Sequence, residues 1–223
     1  MKAKLISYSK PTRDMYGEGL SDAQDLIAYC ARVSNPSNQL NMETAEKLLG
    51  YLAKHKHWSP FEMVSACIEV ETTRDIARQL LRHRSFSFQE YSQRYADPTK
   101  DLEFVLREAR LQDQKNRQNS ISTEDAELMR QWYMKQAEVI GIVKKHYGWA
   151  IENGIAKEQA RSILPEGNTV SRLYVNGTIR SWIHYIELRS GNGTQLEHIE
   201  LARACAEAIS EAFGLINQYV QQE

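Results

Sequence analysis

Strand-like segments in this chain are short and far apart, and that spacing does most to limit its fold. Residues 67–72 (Cys-Ile-Glu-Val-Glu-Thr) alternate apolar and polar side chains, the pattern of a half-buried strand. Residues 170–175 alternate in the same way, and residues 3–9 form a short N-terminal strand. Elsewhere helical periodicity dominates. A helix beginning at Ser21, with Gln24 three residues on as a capping box, carries Leu26, Ile27, Cys30 and Val33 as its apolar stripe. A second, over about 42–54, turns Leu48, Leu49 and Leu52 inward. Thr72 or Thr73 caps a third that buries Ile76 and Leu80, while Arg74, Arg78 and Arg82 recur on another face. Further helices are expected over 124–152, closed by Asn153-Gly154, over 156–163 before Pro165, and over 179–188. The last opens from a second capping box, Thr194-Gln195-Leu196-Glu197, and runs toward Ile216. Strand and helix never alternate regularly enough for a doubly wound sheet. The expectation is a helix-rich α+β single domain over 1–223, with a mixed or antiparallel sheet and no Rossmann unit. Residues 97–123, polar and irregular, are expected to be a long loop.

Lys and Arg number 28 against 29 Asp and Glu, so any anion site must come from a local cluster rather than a global field. The first ten residues contain Lys2, Lys4 and Lys10 and no apolar run, which argues against a secretory signal or a membrane span. Cys30, Cys67 and Cys205 lie in apolar-periodic contexts and form no disulfide or zinc pattern. They are expected to pack as small hydrophobes in a reducing cytoplasm. No P-loop and no GxGxxG occurs.

Three clusters could carry chemistry. The first, Gln79 to Tyr95, gathers Arg82, His83, Arg84 and Arg94 around a single carboxylate, Glu90. So many cations repel one another unless an anion neutralises them, and guanidinium forks suit phosphate oxygens. Gln89, Gln93, Ser87 and Ser92 add neutral hydrogen-bonding groups; the plain alternative is a solvated basic helix end. The second comprises Arg161, Thr178, Arg180, His184 and Arg189, with Arg180 and His184 one helical turn apart. Arg189 falls at a helix end, where the dipole alone favours a cation. The third is the turn from His55 to Glu62. Its two histidines, His55 and His57, have no third ligand beside them, and no metal is expected.

Together these clusters resemble the flavin-dependent thymidylate synthases. That family's signature reads Arg-His-Arg, two variable positions, Ser, one variable, Asn-Glu, one variable, Ser, one variable, Arg-Tyr. Arg82-His83-Arg84, Ser87, Glu90, Ser92 and Arg94-Tyr95 match it, and Gln89 stands where Asn is usual. His57 with Ser59-Pro60-Phe61-Glu62 looks like the early flavin-contacting turn, with Met63 replacing a frequent His. Ala160-Arg161 with Leu164-Pro165, and Thr178-Ile179-Arg180, His184, Leu188-Arg189, Gln195 and Glu197, resemble the later blocks; Gly193 replaces a His. Gln93 and Arg117-Gln118-Asn119 look like the viral and related branch, for which the compartment would be host-cell cytoplasm.

The resemblance implies a homotetramer with active sites between subunits, using FAD, NADPH, dUMP and methylene-tetrahydrofolate to make dTMP. It implies that Ser59, Arg82, His83, Arg84, Glu90, Thr178, Ile179, Arg180 and His184 hold FAD. It implies that Gln79, Arg82, Glu90, Tyr91, Ser92, Gln93, Arg94, Arg161 and Arg189 hold dUMP, with His57 near the flavin ring and Arg189 activating the uracil. Two phosphate-bearing ligands account for convergent arginines in a near-neutral chain. Ser92 has no neighbouring base that would make it a nucleophile. The rival class is a single-stranded RNA-binding module stacking bases on Phe86, Phe88, Tyr91 and Tyr95. A flavoprotein of this fold without synthase activity is a second.

Overall fold

The computed structural model describes residues 1–222. Its first half contains β1 (Lys2–Tyr8), α1 (Arg13–Gly17), α2 (Ala23–Ala31), α3 (Ala45–Lys54), β2 (Ser65–Thr73), α4 (Arg74–Leu80) and β3 (Ser87–Glu90). Then follow α5 (Pro98–Asp101), β4 (Arg110–Gln112), β5 (Ser120–Ser122), α6 (Ala126–Glu152), α7 (Lys157–Ala160), β6 (Val170–Thr178), α8 (Ile179–Arg189) and α9 (Leu196–Ser210). The fold is α+β, and every strand pairing is antiparallel, in a sheet of order β1-β2-β6-β3 and a separate β4–β5 hairpin.

Alternation decides which face of the sheet is wet. Ala66, Ile68 and Val70 on β2 oppose Gly177, Val175 and Leu173 on β6, and all are buried. On the other face Glu69 opposes Tyr174, and Glu71 pairs with Arg172 at 3.2 Å. The buried face is covered by α2, α3, α4, α8 and α9. Trp182, fully buried on α8, donates its indole N–H to the Ala66 carbonyl at 3.1 Å, so its one polar atom is satisfied inside the core. β2 passes into α4 and β6 into α8 without a loop residue. Because the two strands are antiparallel, these helices leave from opposite ends and return over the same face, which brings residue 83, just past α4, to the end of α8.

The 27-residue α6 joins the rest along one narrow edge. Val143, Tyr147 and Ala150 pack against Ala160, Leu164 and Phe104. Gln136, buried, donates to the Arg107 carbonyl at 2.8 Å and accepts the Arg107 N–H at 2.9 Å and Asn168 at 3.0 Å. Much of its remaining surface is apolar and exposed: Leu128, Met129, Trp132, Tyr133, Met134, Val139, Ile142 and Trp149.

Several local expectations are corrected. Asp22, not Ser21, caps α2 by accepting from the Gln24 and Asp25 amides, and Ser21 instead binds the Asp25 carboxylate. Val33 lies beyond that helix and is exposed. Residues 42–44 form a 3-10 turn ahead of α3. Residues 97–123 are not a loop throughout, since α5, a bridge from Phe104 to Thr169 and the β4–β5 hairpin order much of them. The second capping box does not form: Gln195 precedes α9 without a side-chain cap, and α9 ends at Ser210, followed by a 3-10 turn over Gly214–Tyr219. Cys205 is buried in the core, whereas Cys30 and Cys67 are only partly covered.

Candidate active site

The site is assembled from the ends of secondary elements. Arg189 closes α8, and its Nε–H donates to Nε2 of His83 at 3.0 Å. An arginine only donates, so this bond leaves His83 Nε2 as a lone pair and places the ring proton on Nδ1. Burial first, and the Arg189 charge second, push the His83 pKa down from 6.5 to about 4. His198, fully buried on α9, is pushed down to about 3 by burial, Arg189 and His83 in that order. Both imidazoles are therefore neutral near pH 7. Arg189 has no carboxylate partner, and its two Nη groups make no hydrogen bond among the described residues. The result is a guanidinium held by one edge beside neutral rings, with the opposite edge free to donate.

A chain of amides steadies this corner. Gln79 on α4 donates to Gln195 at 2.9 Å, and its carbonyl lies 3.1 Å from His198 Nδ1. Gln195 in turn donates to Glu197 at 2.9 Å, and Arg110 binds Glu197 at 2.5 Å. Burial opposes the Glu197 charge, but hydrogen bonds from its own amide, Arg110 and Gln195 hold its pKa below the usual carboxylate value. His198 is absent from the expected site residues. Its signal was legible, because it interrupts the apolar stripe of α9 continued by Leu201, Ala202 and Cys205.

A second group centres on Glu90. Arg74, nearly buried at the start of α4, binds its carboxylate at 3.2 Å, and the Ser171 hydroxyl donates to the same oxygen at 2.8 Å. Arg161 and Arg78 are near enough to disfavour the Arg74 charge, and Glu166 to favour it. Arg94 pairs with Glu158 at 3.1 Å, which ties the end of the signature to α7 beside Arg161. Gln93 is buried with its Nε2 unbonded, and the Tyr91 hydroxyl donates to Asp101 at 2.8 Å. Among the described residues Ser92 Oγ accepts only from the Arg94 amide, at 3.4 Å.

The third group joins the turn before β2 to the outer face of α8. Arg180 binds Glu62 at 2.6 Å, and the His184 ring meets the Trp58 ring edge-on at 5.0 Å. His57 and Ser59 are exposed on that turn. Thr178 accepts the Ser181 amide as the cap of α8, and Ile179 is fully buried, so both have structural work at this junction. Arg82 and Arg84 are exposed, with no ion pair or side-chain hydrogen bond among the described residues. Within one chain, then, Arg189 with His83, Arg74 with Glu90 and Arg161, and His184 with Trp58 form three separate groups. Arg82 joins none of them by a direct bond.

The aromatic residues of the signature do not present a stacking platform. Phe86 is buried against Trp182 at 4.5 Å and Phe88 packs onto the core; only Tyr95 is widely exposed. Arg82, Arg84 and the free edge of Arg189, which no described acid neutralises, instead suit a ligand that carries phosphates.

An antiparallel sheet backed by helices, with arginines before and after its edge strand β3, defines an α+β protein without a Rossmann cradle. The model of the family described as thymidylate synthase complementing protein matches residues 18–213, and the chain belongs to that family, the enzyme family of the flavin-dependent thymidylate synthases. It is 51% identical over 216 residues, 97% of each chain, to a probable flavin-dependent thymidylate synthase of Paramecium bursaria Chlorella virus 1. It is 50% identical over 218 residues, again 97% of each, to a flavin-dependent thymidylate synthase of Synechocystis. Its fold is similar, with a TM-score of 0.77 over 98% of this chain and 93% of the other, to the UMP/dUMP methylase PolB from Streptomyces cacaoi bound with 5-Br dUMP. That likeness is at 23% identity.

Proposed function

We propose that this chain, as one catalytic domain over 1–223, methylates dUMP to dTMP in the cytoplasm, with methylene-tetrahydrofolate as carbon donor and NADPH-reduced FAD as reductant. The observation that carries this reading is the free edge of Arg189, fixed by His83 and unmatched by any described acid. Uracil C5 becomes nucleophilic when negative charge on N3 and its flanking carbonyl oxygens is stabilised, and a preorganised guanidinium does this without a covalent bond to the protein. The neutral His83 holds Arg189 in place without competing for the anion. Gln79 lies one hydrogen bond from the same corner and orients the ring. Arg74 and Glu90 form a fixed polar floor over which Arg161, Ser92, Gln93, Tyr91 and Arg94 surround the nucleotide phosphate. Ser59, Thr178, Ile179, Arg180 and His184, with the signature residues Arg82, His83 and Arg84, hold FAD against the turn that carries His57. Bound and reduced, FAD supplies the hydride that converts the transferred methylene to a methyl.

The exposed apolar face of α6 supports a homotetramer, because monomers rarely leave so large a patch wet. Sites shared between subunits would bring together the arginines that one chain keeps apart. The test is dTMP formation by purified, flavin-loaded protein. Arg189→Ala should lose on the order of a hundredfold in turnover while its FAD absorbance persists. Near-normal turnover in that variant would remove Arg189 from the role given to it, and a wild type free of flavin would end the whole reading.

A further inference from the structure

A cleft of about 670 Å³ lies between the β4–β5 hairpin and the loop from α8 to α9. Ser190, the residue after Arg189, lines it, so it opens beside the uracil-activating corner. Among the described residues its wall contains arginines, amides and hydroxyls, with Leu196 and Ile199, but no Asp, no Glu and no aromatic ring. In a chain with 29 acidic residues that exclusion is distinctive. The adjoining cleft of about 550 Å³ is mixed, with Glu71, Asp101, Glu103, Glu108, Glu197 and Glu200 set among Lys2, Arg107, Arg110 and Arg172.

The cationic wall is built, not merely exposed. At the hairpin tip Asp113 accepts from the Lys115 and Asn116 amides at 2.7 and 3.1 Å, and Asn116 accepts from the Gln118 amide at 3.0 Å. These bonds fix the backbone around Arg117, whose side chain has no ion pair or hydrogen bond among the described residues. Arg110 is held deeper in the cleft by Glu197, whose carboxylate lies on the acidic side. The 15-residue α9 starts at this wall without a side-chain cap, so the positive end of its dipole adds to the same field.

Resting on the function proposed above, we infer that this cleft takes the glutamyl tail of the folate co-substrate. The methylene carbon must reach a uracil held at Arg189, so the rest of the folate leaves through a neighbouring opening. Each added glutamate brings a carboxylate that an arginine fork can bind. A dinucleotide would need a ring surface for its adenine, which this wall lacks. The cleft is thus selective for chain length in the carbon donor and indifferent to the reductant.

The test compares mono- and triglutamyl methylene-tetrahydrofolate as substrates, with NADPH KM and FAD content measured alongside, in wild type and Arg117→Gln. Binding of non-reacting pteroyltriglutamate and pteroylmonoglutamate is followed separately by fluorescence. Wild type should favour the triglutamyl form by about tenfold in KM and in binding, the worth of one charge-assisted hydrogen bond. Arg117→Gln should lose most of that preference with kcat, FAD content and NADPH KM unchanged. Equal affinity for both chain lengths in wild type, or a preference that survives in Arg117→Gln, overturns the inference. So does a rise confined to the NADPH KM. A wild type that discriminates chain length in binding yet forms no dTMP would overturn the proposed reaction and leave the cleft assignment standing.

Discussion

Burying two imidazoles beside a guanidinium has a cost that depends on pH. His83 titrates near 4 and His198 near 3 in the fold, against 6.5 for an ordinary histidine. As pH falls below 6.5 the unfolded chain takes up these protons first, so stability is fully present above that value and declines as pH drops toward 4. His198→Gln keeps a polar side chain but cannot charge. Its urea midpoint should therefore fall less steeply than that of wild type across the same window. A slope identical to wild type would mean that other groups set the acid sensitivity. At this scale the sequence revealed residue types better than partners. His83 and Glu90 are legible from the signature and Arg189 from the later block that resembles the family, but nothing in their spacing says that Glu90 belongs to Arg74 or that His83 receives the Arg189 Nε–H. Those pairings depend on where α4 and α8 cross, a matter of tertiary packing.

Elements were legible where one periodicity ran long enough to bury a face. α3, α6, α8, β2 and β6 all obey this, with ends shifted by a few residues. The β4–β5 hairpin was illegible because its strands have three residues each and every residue of β5 is exposed, so no alternation marks them. At the start of α2, Ser21 and Asp22 are both good caps, and only the backbone angles at Asp22 decide between them. One residue of β6 is constrained by a neighbour instead of its own conformation. A Cβ on Gly177 would lie 2.3 Å from a ring carbon of Phe86, which is itself wedged against Trp182 at 4.5 Å. The ring cannot swing away, so Gly177→Ala should cost about 1–3 kcal/mol in urea-induced unfolding. A neutral result would mean that the β3–β6 edge is looser than drawn, and with it the anchoring of the signature strand.

For the whole molecule the composition is a poor guide, since a near-neutral balance hides both a cleft with no acid among its described residues and one with six. It equally hides the apolar flank of α6, whose residues alternate with charges along the chain and only form a surface once coiled. If that flank is covered by sister chains, Ile142→Glu combined with Trp149→Glu should leave circular dichroism intact. Light scattering should then report a smaller particle, down to the 25.7 kDa of one chain, together with weaker FAD retention. A wild type already at that mass would exclude the assembly and require every site to be complete within one subunit.

The seamless passages at Thr73-Arg74 and Thr178-Ile179 limit how such a chain can vary in length. With no spare residue to absorb a change, the meeting of His83 and Arg189 is metered in ladder steps of roughly 3.3 Å, more than the 3.0 Å bond itself. One codon gained or lost in either strand would part the two side chains and turn the inward residues outward. Indels in this protein should accordingly spare the centre of the sheet.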